Sequence, residues 1–388
     1  MENYVHAIPT KLYFGTGVIS HLSEELARFG KNVLLVYGGG SVKKTGLYDT
    51  VAGILRDGGF AVAELGGVEP NPRIETVRRG VSLCRENTID AILAVGGGST
   101  IDCSKAVAVG AFHDGDLWEM IRNPKPGRKA LPLVCILTVS ATGSEFDAIG
   151  VISNPETNEK LGALLTYPSV SFCDPTYTFT VPRYQTASGS IDIMSHIMED
   201  YFSATEDSDL AEGFAETVLR SVIRNLPIAL EEPDNYSARA NLMANANVAC
   251  SGIPRYGKRH SGWPCHAMEH ELSAYYDITH GVGLAILTPR WMRHILKKDP
   301  SVRRRFVKFA RNVWGLEGTD EDALAAGGID ALERFFRESG VPMTLTELGI
   351  GTEHFTEMAK HADLKGRLSN AWVPLTTEDT VAIFTACL

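Results

Sequence analysis

The hydrophobic and polar positions of this chain follow two patterns, one in each half of its 388 residues. In the first half, short β-branched runs alternate with stretches of helical spacing, and the early runs end in glycine or small polar residues. Such alternation predicts βαβ units and a mainly parallel sheet. The predicted strands are residues 33–37, 60–65, 91–95, 131–137, 148–153 and 171–173.

After residue 175 the apolar positions recur with the 3.6-residue period of helices. The clearest helical stretches are residues 185–203, 210–230 and 236–250, and Pro182, Pro233 and Pro254 interrupt them. A chain of this length also exceeds what one hydrophobic core usually supports. We therefore predict an α/β domain over residues 1–178 with a mainly parallel sheet, and an all-α domain over residues 179–388.

Three turns of small residues follow predicted strands in the first half. They are Gly38–Ser41 after VLLVY, Gly96–Ser99 after AILAV, and Thr138–Glu145 after LPLVCIL. Glycines let backbone N–H groups approach an anion, and the helix that follows directs its positive end at a phosphate. Neither glycine turn has the G-x-G-x-x-G or P-loop spacing. A single turn of this kind is usually only a loop, but three would line the carboxyl edge of the sheet, where a dinucleotide binds.

The second half contains five side chains of the metal-ligand type. Asp192 and His196 are separated by four positions, as are His266 and His270, and His280 follows. Residues four apart lie on one face of a helix, where both can reach a common point. One such pair alone is ordinarily a surface pair. The whole set predicts a divalent metal site, with Fe²⁺ and Zn²⁺ as the candidates by ligand type.

Composition narrows the class of protein. A net charge of −10 argues against a nucleic-acid-binding protein, which needs a basic surface. No segment has 18 consecutive apolar residues, and the N-terminus lacks the features of a signal peptide, so we expect no membrane association. The seven cysteines are scattered and contain no Cys-x-x-Cys pair, which is typical of reduced thiols and predicts a cytoplasmic location.

Several segments together resemble the iron-containing (group III metal-dependent) alcohol dehydrogenase family, in particular its NADP(H)-dependent butanol dehydrogenase and aldehyde reductase branch. The resemblance spans most of the chain, and the order and spacing of the segments agree with the family. It implies a Rossmann-like, dehydroquinate synthase-like α/β domain followed by the helical domain, and a homodimer. The segments are YGGGSVKKTG (37–46), GGVEPNP (66–72), AVGGGSTIDCSKA (94–106), TVSATGSE (138–145), GSIDIMSHIMEDYF (189–202) and HAMEHELSAYYDITHGVGLAI (266–286).

The resemblance also assigns roles to individual residues. It implies that Asp192, His196, His266 and His280 hold the metal, and that His270 is a catalytic residue near it that relays a proton. The implied cofactor contacts are Gly96, Gly97, Gly98, Ser99, Asp102, Thr138, Thr142 and Lys160, of which Lys160 lies in the least specific motif.

The turn after the first strand bears on the choice of cofactor. NAD-preferring relatives commonly carry an acid there, which accepts hydrogen bonds from the ribose 2′-hydroxyl and would repel a 2′-phosphate. Gly38, Gly39 and Ser41 leave room for a phosphate, and Lys43 or Lys44 offers a positive charge. An equally good explanation of the two lysines is that they are exposed residues of the first helical turn and contact no phosphate. The turn favours NADP over NAD.

The predicted activity is metal-dependent hydride transfer between NADP(H) and a primary alcohol or aldehyde, such as butanol or butanal. Glycerol or 1,2-diol oxidation on the same scaffold is the nearest alternative, because specificity depends on side chains outside these motifs. His266 to His270 also fits H-x-x-E-H, a zinc-peptidase signature with Glu269 as base. A non-catalytic NADP-binding sensor is a further alternative.

Overall fold

The computed structural model describes all 388 residues and contains eight β-strands and fifteen α-helices. The strands are β1 Lys11–Phe14, β2 Asn32–Gly38, β3 Ala61–Val68, β4 Ala91–Gly96, β5 Leu133–Leu137, β6 Ile149–Asn154, β7 Glu159–Leu164 and β8 Val170–Cys173. The helices are α1 Leu22–Ala27, α2 Ser41–Lys44, α3 Leu47–Asp57, α4 Ile74–Glu86, α5 Gly98–Gly110, α6 Leu117–Arg122, α7 Arg183–Tyr201, α8 Asp209–Glu231, α9 Tyr236–Ala249, α10 Pro264–Tyr276, α11 His280–Lys298, α12 Arg303–Trp314, α13 Glu321–Glu338, α14 Phe355–Ala362 and α15 Thr377–Ala386.

The chain forms two compact units. One consists of Ala7–Val181 and Asp234–Met243 and contains every strand. The other consists of Met1–His6, Pro182–Pro233 and Ala244–Leu388 and is helical. This distribution confirms the predicted fold class, an α/β region followed by an all-α region. No helix in the protein combines the length and the apolar character needed to cross a membrane.

A six-stranded parallel sheet forms the centre of the α/β unit, with the order β1-β8-β5-β4-β2-β3. Its central strands are buried on both faces, since Leu34 and Val36 pack in one hydrophobic core while Val33 and Leu35 pack in another. Helices that cover both faces of a parallel sheet explain why these strands appear in the sequence as continuous apolar runs. Because β5, β4 and β2 are neighbours, the turns that follow them lie side by side.

The predicted strand at 148–153 exists as β6, but it does not join the parallel sheet. It pairs antiparallel with β7 in a separate two-stranded sheet, from Ile149 opposite Leu164 to Asn154 opposite Glu159. Strand β7 reads EKLGAL and has no β-branched residue, so its local sequence gives no strand signal.

The first helix of the all-α unit, α7, is buried from Thr186 to Tyr201. A helix without an exposed face lies in the interior of a bundle, and any polar side chain on it needs a partner. Asp192 and His196 are polar residues of this helix. Both side chains therefore need a polar partner in the interior of the helical unit.

Candidate metal centre and nucleotide-binding edge

Asp192 and His196 lie one turn apart on α7, as the four-residue spacing predicts. The backbone carbonyl of Asp192 is 2.8 Å from His196 Nδ1. Because this contact uses Nδ1 as the donor, the remaining ring nitrogen, Nε2, carries the lone pair that a metal would need. The ring of His196 also lies 4.5 Å, between centroids, from that of His266.

Helices α10 and α11 bring two further histidines to the same carboxylate. Asp192 Oδ1 lies 3.9 Å from His266 Nε2 and 3.7 Å from His280 Nε2. His266 is in the first turn of α10, and His280 is the first residue of α11. Donor atoms about 3.4 Å apart are expected around a tetrahedral ion with bonds of about 2.1 Å. The observed separations are close to that value.

The donor atoms themselves favour a metal. Asp192 Oδ1 and His266 Nε2 are buried and have no hydrogen-bond partner, which is costly for polar atoms unless a ligand satisfies them. Burial, together with the neighbouring imidazoles, holds the pKa of His266 well below its usual range, so that its ring is neutral. A neutral imidazole is the form that coordinates a divalent ion. These four residues fit a divalent metal.

Two buried glutamates contact the histidines, and the sequence assigned neither of them to the metal centre. Glu199 accepts hydrogen bonds from His266 N and Nδ1, and Glu269 accepts one from His280 Nδ1. Burial raises the pKa of Glu199 to about 8, and a divalent ion on His266 would favour the charged form of this carboxyl. Glu199 lies three positions after His196, and Glu269 lies three positions after His266. This spacing is the only sequence signal that relates the two glutamates to the predicted ligands.

His270 lies beside the cluster, one turn after His266 on α10. Its ring centroid is 5.7 Å from that of His280 and 6.5 Å from that of His266. It also belongs to a second close group of possible ligands with Glu269 and His280. The structure thus places His270 next to the proposed ligands. Glu269 is fully buried and bonded to Ser273 and His280, which is unsuitable for the exposed general base of an H-x-x-E-H peptidase.

Trp263 contacts two of the proposed ligands from the segment before α10. Its ring lies 4.8 Å from that of His266 and 5.4 Å from that of His196. Its indole N–H donates to Asp200 at 2.9 Å. Its backbone has φ 55° and ψ 59°, a left-handed conformation that is unfavourable for a bulky residue. Such strain concentrates at functional sites.

In the α/β unit, the three small-residue turns lie at the carboxyl ends of adjacent strands. Gly38 ends β2, and Ser41 begins α2 after the exposed Gly39. Gly96 ends β4, and α5 begins at Gly98. The N-terminus of α5 therefore lies at this edge, in the position of an anion-binding helix terminus.

The second and third turns are packed tightly together. Thr138 N donates to the Gly96 carbonyl at 3.0 Å. A Cβ at Gly98 would lie 2.4 Å from Thr142 Oγ1, so only glycine allows this approach. Ser99 is tied to the neighbouring loop through its hydrogen bond to the Pro70 carbonyl. The structure thus brings together the predicted contacts of these two turns.

Asp102 and Lys160 occupy more buried positions than the turns. Asp102 accepts hydrogen bonds from Ser144 Oγ and Val151 N, and burial raises its pKa to about 6. Its carboxylate thus connects α5 with the third turn and with β6. Lys160 is 5% exposed and lies on β7, opposite Ser153. A dinucleotide contact of either residue stays a prediction.

Sequence reasoning did not identify Lys105, whose side chain on α5 is fully buried. Its ammonium donates to Asp147 Oδ1 and to the Ile149 carbonyl, each at 2.7 Å. A buried lysine is rare unless it is paired. The pair holds the segment that follows the third turn against α5.

A parallel sheet carries glycine turns at its carboxyl edge, and three imidazoles, two buried and one partly buried, lie beside one buried carboxylate. Together these features define a metal-dependent dehydrogenase. Residues 9–175 match the family described as iron-containing alcohol dehydrogenase, and residues 186–388 match the C-terminal region of the Fe-containing alcohol dehydrogenase family. The chain belongs to the iron-containing alcohol dehydrogenase family. It is an oxidoreductase of alcohols and aldehydes that uses a pyridine nucleotide.

Individual relatives cover nearly the whole chain. The chain is 50% identical to NADH-dependent butanol dehydrogenase A of Clostridium acetobutylicum over 99% of both proteins. It is 36% identical to NADPH-dependent aldehyde reductase YqhD of Escherichia coli over 94% of both. The crystal structure of NADH-dependent butanol dehydrogenase A from Thermotoga maritima superimposes with a TM-score of 0.94 at 38% identity, covering 100% of this chain and 99% of that one. By their names, some of these relatives depend on NADH and one depends on NADPH.

Proposed function

We propose that this protein interconverts a primary alcohol and its aldehyde, with butanol and butanal as the representative pair, using NADP(H) and one divalent ion. The proposed ligands of the ion are Asp192, His196, His266 and His280. The observation that carries this proposal is the pair of buried atoms without hydrogen-bond partners, Asp192 Oδ1 and His266 Nε2, which lie among the imidazoles. The butanol dehydrogenases among its relatives support the choice of substrate.

The protein side chains determine the charge and shape of this centre. When bound, the ion would act as a Lewis acid on the substrate oxygen, and the nicotinamide would supply or accept the hydride. One carboxylate among three neutral imidazoles leaves a divalent centre with a net positive charge. Burial of Asp192 and His266 excludes water and strengthens that field, which favours negative charge on the substrate oxygen.

His270 is the proposed proton carrier. It is buried, and its ring centroid lies 5.7 Å from that of His280, so it is close to the proposed ligands. An imidazole has an ordinary pKa near neutrality, which suits a group that gives and takes a proton in each turnover. In aldehyde reduction we propose that it donates the proton that the product alcohol gains.

The choice of NADP(H) is supported by the turn after β2. A side chain on Gly39 would meet nothing within 4 Å, so the turn is open. Lys43 lies 4.8 Å above the Tyr37 ring and 4.5 Å above the Tyr48 ring, which holds its positive charge near this turn. No carboxylate occurs from Gly38 to Lys44 to repel a 2′-phosphate.

The first test is elemental analysis of protein purified without added metal, followed by butanal reduction with NADPH or with NADH. Bound iron or zinc together with metal-dependent NADPH consumption is the expected result. Replacing His266 or His280 with Ala should remove the metal and the turnover while NADPH binding remains. Full activity of a metal-free variant would refute the proposed centre. Glycerol and 1,2-diols in the same assay test the alternative substrates.

His270→Ala separates the proton carrier from the ligands. We expect this variant to retain its metal and to turn over slowly, because only proton delivery is affected. Metal content measured beside kcat decides the point. Loss of the metal would instead identify His270 as a ligand.

Gly38→Asp tests the cofactor assignment. An acid at this position should lower kcat/KM for NADPH and leave or raise kcat/KM for NADH, since it repels only the 2′-phosphate. The ratio of the two values, in wild type and variant, is the measurement. A wild-type preference for NADH that Gly38→Asp does not alter would contradict the role given to this turn.

A cytoplasmic location and a homodimer complete the proposal. None of the seven cysteines forms a disulfide, and six of them are buried, which supports a reducing compartment. The homodimer rests on the family resemblance. Light scattering on the purified protein measures the oligomeric state, and fractionation of the source cells tests the location.

A further inference from the structure

All three proposed histidine ligands have Nδ1 in contact with an oxygen of the protein. For His196 this oxygen is the backbone carbonyl of Asp192, at 2.8 Å. For His266 and His280 it belongs to a glutamate, Glu199 at 3.1 Å and Glu269 respectively. An Nδ1 that donates leaves Nε2 as the atom with the lone pair. The three rings thus share one tautomer.

We propose that Glu199 and Glu269 are positioning residues of the metal centre, which fix the tautomer and the rotation of His266 and His280 and thereby set the affinity for the ion. This inference rests on the proposed metal centre. A carboxylate that accepts from a ligand histidine also increases the basicity of the ring. Neither glutamate would touch the ion or the substrate.

Glu199 makes two contacts with one ligand residue. It accepts from the His266 backbone N–H at 2.8 Å and from the ring Nδ1 at 3.1 Å, so it fixes the main chain and the side chain together. Glu199 lies on α7, which also carries Asp192 and His196. It therefore ties the first turn of α10 to the helix that carries the other two proposed ligands.

The neighbouring chain supports this connection. Ser261 Oγ donates to the Glu199 carbonyl, and the Trp263 indole donates to Asp200. Lys258 donates to the Asp200 carbonyl at 3.1 Å. Two consecutive acids on α7 thus hold the segment that leads into α10 at several points. The position of His266 follows from these contacts as well as from helix packing.

Both carboxylate oxygens of Glu269 accept a hydrogen bond. Ser273 Oγ donates to Oε1 and His280 Nδ1 donates to Oε2, and the side chain is fully buried. A Cβ at Gly283 would lie 2.7 Å from Glu269 Cγ, so glycine at this position lets α11 approach the glutamate. The sequence thus provides both the carboxylate on α10 and the space for it on α11.

The test is the zinc affinity of the full-length protein, measured by competition with a chromogenic chelator. Glu199→Gln and Glu269→Gln keep the size of the side chain and remove its charge, and each should weaken zinc binding by about 10- to 100-fold. Glu216→Gln is the matched control, because Glu216 is also buried and helical but accepts from Tyr201 and Asn312. It should leave the affinity unchanged.

Cobalt(II) absorption supplies a readout that a general loss of stability would not move. If the ligand rings turn, the visible bands of the cobalt-loaded Glu199→Gln and Glu269→Gln proteins should differ from those of wild type, while those of Glu216→Gln should not. If a Gln variant does not fold, as judged by circular dichroism, the Asp variant replaces it, since it keeps the charge and shortens the reach.

Two outcomes separate this inference from the proposed function. Wild-type protein that binds no zinc, or Asp192→Ala that binds it as well as wild type, would overturn the metal centre itself. Zinc binding that depends on Asp192 but falls by far less than tenfold in both glutamate variants, with unchanged cobalt spectra, would overturn the positioning role alone.

Discussion

Replacing Lys105 with Met should destabilise the α/β unit severely. The ammonium is fully buried and donates to Asp147 Oδ1 and to the Ile149 carbonyl, each at 2.7 Å. Methionine fills most of the same volume but provides no donor and no charge. The variant leaves a carboxylate and a carbonyl without their buried partner, which typically costs 3–5 kcal/mol. The Asp147 side chain is 14% exposed and keeps the Ile149 N–H, so we expect about 3 kcal/mol.

Urea unfolding at neutral pH measures this loss as a lower midpoint with an unchanged slope. Lys125→Met, on an exposed loop, is the control and should change the free energy of unfolding by less than about 0.5 kcal/mol. The double variant with Asp147→Asn should cost less than the sum of the two single changes by about 1 kcal/mol or more. A loss below about 1 kcal/mol for Lys105→Met, or simple additivity, would refute the buried pair as a stabilising unit.

Lys105→Met should also affect the cofactor. Asp147 follows the third turn, which contains Thr138 and Thr142, so releasing it loosens two proposed contacts. We expect KM for NADPH to rise by a larger factor than kcat falls. Steady-state kinetics on the folded variant measures both constants, and an unchanged KM would show that the pair does not hold the turn.

Three further predictions concern other parts of the protein. Gly281→Ala should lower both the metal content and the thermal stability, because the new Cβ would lie 2.1 Å from the Ser188 carbonyl oxygen on α7. Gly53→Ala is the control. Its Cβ would meet only the Arg56 guanidinium, at 3.8 Å, and the change should stabilise α3 by about 0.5–1 kcal/mol. The Lys11 ammonium lowers the pKa of Glu25 from 4.5 to about 2, so the charged Glu25 stabilises the fold fully above pH 4.5. In urea unfolding, the stability difference between wild type and Glu25→Gln should shrink as the pH falls from 4.5 towards 2. Chelation of the metal should lower the free energy of unfolding, and restoring zinc at a hundred times its Kd should return about 2.7 kcal/mol; an unchanged unfolding curve would argue against a metal bound by the native state.

Much of the fold was predictable because parallel strands and amphipathic helices leave strong local patterns. The continuous apolar runs predicted β2 and β4, and the helical spacing placed Asp192 and His196 one turn apart. Strand β7 was not predictable, because it is held by pairing with β6 rather than by its own composition. That pairing depends on contacts that a local pattern does not contain.

The candidate site likewise contains some residues that the sequence predicts and others that it does not. The two pairs with helical spacing, taken together with His280, predict a metal centre, although either pair alone would not. Glutamates on helices are common, and most are solvated, so a spacing of three residues from a histidine does not by itself distinguish Glu199 and Glu269 from exposed residues. Their role depends on which helix face is buried and on what lies opposite. Lys105 was missed for the same reason, since lysine is ordinarily an exposed residue.

The proposed ligands lie on three separate helices, and this has a consequence for how the protein would acquire an ion. Asp192 leaves the ribosome several seconds before His280 at ordinary rates of synthesis. Because α7 is buried on all sides, its donors come together with those of α10 and α11 only when the helical unit has assembled. On the proposed assignment, the ion would therefore be selected by a finished protein from whatever the surrounding pool offers, and not by the growing chain.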